Sequence, residues 1–310
     1  MKETEGLLER VYSWEEGVAP EGADADAYYY RLTLPEGTVR IAKEAGLYLS
    51  AGDSAGILLQ CPSSLREIGK KAFFNANLSG LALNDGLVTI GANAFERTNL
   101  VSLDLPDSVE TIEQYAFHAI GGLDRLELPA SLEKVDFMCF GVNMLDIKNL
   151  EDNTGEGAGN SSTGSTGEEI SEEVLVGTVS HCQEVVIGAR VEEIDTNAFC
   201  DLPFDNYSIS RRNKKFTVTD GMLLSDDGRE LISCPSGRRG SVTVPDGVTY
   251  LGHACFYDCE GVTDIYLPDS VININGQAFK RYDGEYTVTL HCAPGSYARE
   301  AAERMGITCK

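Results

Sequence analysis

A short pattern recurs seven times in this chain, and it restricts the possible folds more than any other feature. Its clearest copy runs Pro106-Asp-Ser-Val-x-x-Ile-x-x-x-Ala-Phe117; the others begin at Pro62, Asn84, Pro129, Gly188, Pro245 and Pro268. Counted from each start, offset +3 holds Leu65, Leu87, Val109, Leu132, Val191, Val248 and Val271, all Leu or Val. Offset +6 holds Ile68, Ile90, Ile112, Val135, Ile194, Leu251 and Ile274. Offset +11 is Phe every time: Phe73, Phe95, Phe117, Phe140, Phe199, Phe256 and Phe279. The residue before it is Ala, or Cys at Cys139 and Cys255. Neighbouring copies stand 22 or 23 residues apart.

A period of that length is one turn of a solenoid. No single turn buries its own apolar face, but a stack of turns does. The spacing therefore predicts a β-rich, right-handed α/β leucine-rich-repeat solenoid built from 22–23-residue coils with short parallel strands. The ending Leu-x-x-Leu-x-Leu, as at Leu100, Leu103 and Leu105, alternates like a strand with one buried side. The following Pro-Asp turns the chain, the Val-x-x-Ile stretch crosses the opposite side, and each Phe points inward. Coils packed about 4.8 Å apart place each ring over the next. Ser296 to Met305 reads as a short capping helix, with Tyr297, Ala298, Ala301, Ala302 and Met305 on one face and Gly306 as its stop.

The pattern also divides the chain. Residues 1–34 read as an N-terminal cap region and 35–152 as a first solenoid block, with Pro35 to Ile41 a degenerate first turn. Residues 153–175 contain a flexible Gly/Ser/Thr-rich insert. A second block spans 176–290 with a hairpin insertion near 213–240, and 291–310 form the C-terminal cap. Phe140 and Phe199 stand 59 residues apart, so that interval carries an insertion, and one stack continuing through it is favoured. Asp226-Asp227-Gly228 between apolar runs signals a hairpin. It lacks the spaced carboxylates and bidentate Glu of a calcium loop.

Composition narrows the function. A formal net charge of −24 and a pI near 4.4 argue against nucleic acid as partner, which demands a basic footprint. The exception, Arg211-Arg-Asn-Lys-Lys215 with Arg238 and Arg239, reads as a solvated loop. No apolar run is long enough to span a bilayer, so membrane insertion is not expected. The first residues carry mixed charge and no apolar core, so no signal peptide is expected in this chain, which would be cytoplasmic if complete. Nine cysteines are scattered without a CxxC pair. His253, Cys255 and Cys259, with His291 and Cys292, come closest to a metal set but lack the paired knuckle of zinc sites. Cys139 and Cys255 sit at the inward Ala position and Cys259 on another interior rung, where free Cys packs as a small hydrophobe. Neither metal nor cofactor is expected.

These repeats resemble the BspA-like leucine-rich repeat family, whose unit is P-D-S-V-x-x-I-x-x-x-A-F followed by L-x-x-L-x-L. Cys259 matches that family's frequent F-x-x-C, Phe216 to Gly252 is similar to its interrupting hairpin segment, and Cys292 to Ile307 to its terminal cap. The likeness covers residues 62–145 and 188–310. It implies non-enzymatic bacterial surface or secreted proteins that bind a protein partner, host or matrix proteins among them, and it brings no catalytic residues.

Residues between the buried leucines form the expected binding surface: Ser102, Asp104, Arg125, Glu127, Asp264 and Tyr266. An intracellular scaffold is the alternative. A serine esterase is the remote one, because Gly52-Asp-Ser54-Ala-Gly56 has the G-x-S-x-G form of a nucleophile elbow. An elbow needs a strand before it and a helix after it. Here Pro62 follows within a few residues and no HGG segment precedes. His118, His181, His253 and His291 fall in or beside coils. Ser54 is therefore expected in a bend.

Overall fold

The computed structural model describes residues 12–13, 29–50, 56–142, 182–200, 202–279 and 288–310. Hydrogen bonds between coils run along three sides of the stack. On one side, Tyr29–Thr33, Gly56–Gln60 and Leu78–Ala82 pair in parallel, with Tyr12–Ser13 antiparallel on the outer edge. On the opposite side run two-residue strands, Arg40–Ile41, Glu67–Ile68, Thr89–Ile90 and Thr111–Ile112. Their register places Ile41, Ile68, Ile90 and Ile112 in one row, so these +6 residues lie side by side. All four are buried. Gly69 and Gly91 follow two of these strands; a Cβ there would sit 2.8 Å and 2.7 Å from the previous coil's backbone.

The third ladder lies at the corner before and around the Phe. Lys71, Asn93, Tyr115, Met138 and Ala254, all at offset +9, have positive φ between 46° and 60°. Asn75, Arg97, Ala119 and Asp258, at +13, do too. Left-handed backbone costs a non-glycine residue roughly 1–2 kcal/mol. The repayment is a row of inter-coil bonds. The amides of Lys71, Phe73 and Asn75 donate to the carbonyls of Ala92, Ala94 and Glu96, each at 2.8 Å. The next coil repeats this from Asn93, Phe95 and Arg97 to Gln114, Ala116 and His118. Glu44 and Tyr48 are left-handed as well and donate to Lys70 and Phe74 in the same manner, so Pro35 opens a coil of the stack. That coil has Gly46 where the others have Phe, and a Cβ on Gly46 would stand 2.5 Å from the Phe73 ring.

Inside, the phenylalanines stack face to face. Centroids of Phe73, Phe95, Phe117, Phe140 and Phe199 follow one another at 5.5, 5.2, 5.7 and 6.0 Å, with ring planes within 17°. Phe140 therefore stacks directly on Phe199 across the long interval in sequence. The strands agree: Arg125–Glu127 pairs with Cys182–Ile187, and Lys134–Val135 with Glu193–Ile194. The coils on either side of residues 143–181 are immediate neighbours.

Leu100 to Leu105 differs from the strand that its alternation predicts. Leu100 and Leu105 are buried and Ser102 and Asp104 exposed, but no ladder forms there. Six residues separate Phe117 from Leu123, against five from Phe95 to Leu100. The extra residue falls where Gly122 takes φ 156°, and the strand-side sheet is interrupted between Leu78–Ala82 and Arg125–Glu127.

Beyond Phe199 the stack changes character. Phe204–Ile209 adds a last strand beside Cys182–Ile187. Phe204 and Tyr207 then meet Phe199 at 65° and 67° rather than stacking on it. The chain next forms Phe216–Thr219, Met222–Ser225 and Glu230–Ser233, successively antiparallel. The second turn is built as the sequence signals: Asp227 Oδ1 accepts from the Ser225 hydroxyl (2.7 Å) and the Arg229 amide (3.0 Å), and Gly228 has φ 71°. Met222, Leu223 and Leu224 are all buried. Successive strand residues point to opposite faces. Leu223 accordingly joins the core of the preceding coils, whereas Met222 and Leu224 join the core of those that follow.

Parallel stacking then resumes. Glu230–Ser233, Tyr250–Leu251 and Asn273–Ile274 line one side, and Gly240–Thr243, Val262–Tyr266, Thr289–His291 and Thr308–Cys309 the other. Phe256 stacks on Phe279 at 5.5 Å. The helix Tyr297–Met305 closes this end, burying Ala298, Ala301 and Ala302. Its N-cap Ser296 accepts from the Arg299 amide, and Gly306 ends it in the left-handed region.

Candidate interaction face

The outward residues of the longer strands build the candidate face. Arg125 and Glu127 flank the fully buried Leu126, so both side chains leave the core together. Strand register sets Arg125 opposite Glu184. Its guanidinium reaches Glu127 at 2.9 Å and Glu184 at 3.0 Å. Burial raises the Glu184 pKa, but the Ser208 hydroxyl and Arg125 together more than offset that and hold it below the ordinary range. Exposed pairs of this kind add little stability; their effect is to fix side-chain directions.

A second cluster lies on the coils after the hairpin. Tyr266 is paired with His291 in register, and their rings stack at 4.2 Å with planes 13° apart. His291 Nε2 also lies 2.7 Å from Asp264 Oδ1, while the Thr263 hydroxyl donates to Asp264 Oδ2 at 2.8 Å. His291 first, then Thr263, draws the Asp264 carboxyl below the usual carboxylate range. Tyr266 remains 43% exposed, one of few large apolar side chains so placed.

Of the six residues expected from sequence, Arg125 and Glu127 come together, and so do Asp264 and Tyr266. The two pairs belong to different sheets. Ser102 and Asp104 are exposed one coil before Arg125 and Glu127, outside any strand. Glu184 and His291 were missed as members of the face. His291 stands in the alternating run Thr289-Leu290-His291, from which its outward direction is readable, whereas Cys182 to Ile187 does not alternate and gives no such signal for Glu184.

The cysteine and serine candidates fall elsewhere. His253 is exposed while Cys255 and Cys259 are buried, so the backbone turns their side chains to opposite sides. Among the described residues no three His, Cys, Asp or Glu side chains gather around a possible ion. Burial pushes the Cys139 thiol up to about 12 and the Cys255 thiol well above its ordinary value. Ser54 lies outside the described residues, but Gly56–Gln60 directly after it is a strand paired on both sides, where an elbow requires a helix. In the Arg211 to Lys215 island, Asn213 donates to the carbonyls of Gly188 and Val191 at 2.9 Å each and accepts from the Lys215 amide. The surrounding basic side chains are exposed. Among the described residues, no helix is long and apolar enough to cross a membrane.

Repeating coils, inward rows of stacked phenylalanines and an outward strand face define a leucine-rich-repeat solenoid. The model of the BspA type leucine rich repeat region matches residues 57–156 and 237–291, in six copies. The chain belongs to the BspA-type leucine-rich repeat family. It is similar in structure to a leucine-rich repeat protein from Eubacterium ventriosum, at 18% identity and a TM-score of 0.58, covering 85% of this chain and 61% of that one. The pneumococcal vaccine antigen PcpA follows at 17% identity and TM-score 0.49, with 79% and 56% covered. A leucine rich cell surface protein from Faecalibacterium prausnitzii gives 19% and 0.45, with 80% and 68% covered. The chain thus spans less than two thirds of the first two proteins, 61% and 56% of their lengths. No curated protein sequence matches.

Proposed function

We propose that this chain is a non-enzymatic protein-binding module that presents its strand face to a protein partner, host or matrix proteins among the candidates. The observation that carries this is the Tyr266–His291–Asp264 cluster: an exposed aromatic ring held in one orientation by stacking and by a hydrogen-bonded neighbour. Pre-fixed aromatic side chains give contact area at small entropic cost, and Tyr is enriched among residues that dominate binding energy. The Arg125–Glu127–Glu184 group supplies a second, charged element, which favours orientation and association rate over affinity.

The test is capture by the immobilised full chain from matrix, serum and bacterial lysate fractions, followed by titration of the protein retained. Tyr266→Ala should weaken that binding on the order of 30-fold, the loss of a hot-spot side chain, with unchanged circular dichroism. Charge reversal at Asp104 and Glu127 should weaken it less and alter its salt dependence. Unchanged affinity in both variants would move the interface off this face. A nitrophenyl-ester turnover lost in Ser54→Ala would overturn the non-enzymatic reading.

A further inference from the structure

The C-terminal closure holds a pair of thiols that the binding face does not use. Thr308–Cys309 is the outermost strand of its sheet and pairs with Thr289–His291, placing Cys309 beside Leu290. The Cys292 amide donates to the Lys310 carbonyl at 3.3 Å, and the Lys310 amide to the Leu290 carbonyl at 2.9 Å, so Lys310 is tied to the strand Thr289–His291 and to the residue after it. The Cys309 sulfur lies 3.8 Å from that same Lys310 carbonyl. Leu290 and Cys309 are partners in register and side chains two residues apart on a strand point the same way, so residues 290, 292 and 309 share one face of this parallel pair and the two thiols leave it on the same side. Cys292 is buried and Cys309 half-exposed, so one sulfur is shielded and the other reachable.

A cation adjoins them. Arg299, on the capping helix, donates from its guanidinium to the Cys292 carbonyl at 3.1 Å, while its Nε is buried with no hydrogen-bond partner. Burial and the Cys309 contact push the Cys292 thiol up to about 12, and the Arg299 charge pulls it the other way. Cys234 and Cys259 also lie together within the second core, the Cys259 sulfur 3.6 Å from the Cys234 carbonyl, but both are buried there, out of reach of a dissolved oxidant.

We propose that Cys292 and Cys309 are an oxidisable dithiol that closes to a disulfide by exchange with a small-molecule disulfide, fastening the terminal strand to the sheet beneath the capping helix. The Cys309 thiolate attacks one sulfur of the incoming disulfide, forming a mixed disulfide and releasing one thiolate. The Cys292 sulfur then attacks the Cys309 sulfur and expels the second thiol, its proton passing to solvent or to the released thiolate. The two cysteines lose two electrons and two protons, and the small disulfide is reduced to two thiols. Exchange proceeds through the thiolate, so the reachable sulfur begins it.

The experiment treats the folded full chain with oxidised glutathione, followed by alkylation, intact mass and peptide mapping. The expected product has lost two hydrogens and two titratable thiols, contains a linked Cys292–Cys309 peptide, and shows slower amide exchange across Tyr297–Met305. Cys309→Ser should abolish the linkage, and Cys292→Ser should leave glutathione attached to Cys309. A stable adduct on Cys309 in the unaltered chain, a linkage between other cysteines, or nine thiols still titratable would each overturn the proposal.

Discussion

The coils before the hairpin and those after it use one repeat in two ways. Before it, five phenylalanine rings from Phe73 to Phe199 stack without interruption. After it, Phe256 and Phe279 make a row of two, and the rest of the core is aliphatic, thiol and helix alanine side chains. The first core relies on repetition, each ring being held by identical neighbours. The second is short, and a short solenoid exposes a large share of its ends, which repeat proteins seal with atypical caps. Its two ends are closed by dissimilar elements, the Met222–Ser225 strand and the Tyr297–Met305 helix.

Phe117→Ala is the severest way to probe that contrast. It removes a fully buried ring stacked on both sides, and urea unfolding should show a loss of about 3–5 kcal/mol. Phe279→Ala should cost less, since among the described residues it stacks on Phe256 alone. Equal losses would show that the length of the aromatic row is irrelevant.

The hairpin strand separates the two cores more finely. Leu223→Ala and Leu224→Ala should each cost roughly 2–4 kcal/mol, yet in different places. Hydrogen exchange should report faster opening of the Phe204–Ile209 region for the first and of the Tyr250–Leu251 region for the second. Identical exchange maps would mean that the strand joins the cores into one cooperative unit.

The smallest effect is at acid pH. Asp264 and Glu184 both have folded pKa values below the ordinary range. Their contribution is therefore present above the unfolded carboxylate pKa of about 4 and is lost as pH falls through the lower folded values. Asp264→Asn and Glu184→Gln should each flatten the acid limb of the stability profile, with no change in its slope between about pH 6 and 8. An acid limb as steep as that of the unaltered chain would show that the group carries no linkage.

The interior was open to reading from sequence because it repeats. Seven Phe at one offset needed no structure to be placed inside, and Cys139 and Cys255 followed from the Ala position that they occupy. The corner was not legible. Lys71, Asn93, Tyr115, Met138 and Ala254 share a left-handed backbone but no side-chain chemistry, because the conformation is imposed by bonds between main chains. The broken ladder at Leu100 to Leu105 was hidden for another reason: apolar alternation records burial, and Leu100 and Leu105 are buried without being paired. On the face, single-strand alternation located Arg125, Glu127, Asp264 and Tyr266. Their partners Glu184 and His291 come from other coils, and a pairing between coils is absent from the pattern within any one of them.

The corner ladder has a consequence for how such a chain changes length. The coils opened by Pro35, Pro62 and Asn84 each offer three amides there to their successor, in the same positions. Duplicating or deleting a whole unit such as residues 84–105 rejoins matching surfaces and leaves no donor or acceptor stranded. Coil number is thus an adjustable quantity, altered in whole steps, and a single coil can also take a long insertion, as between Phe140 and Phe199, with its neighbours still stacked.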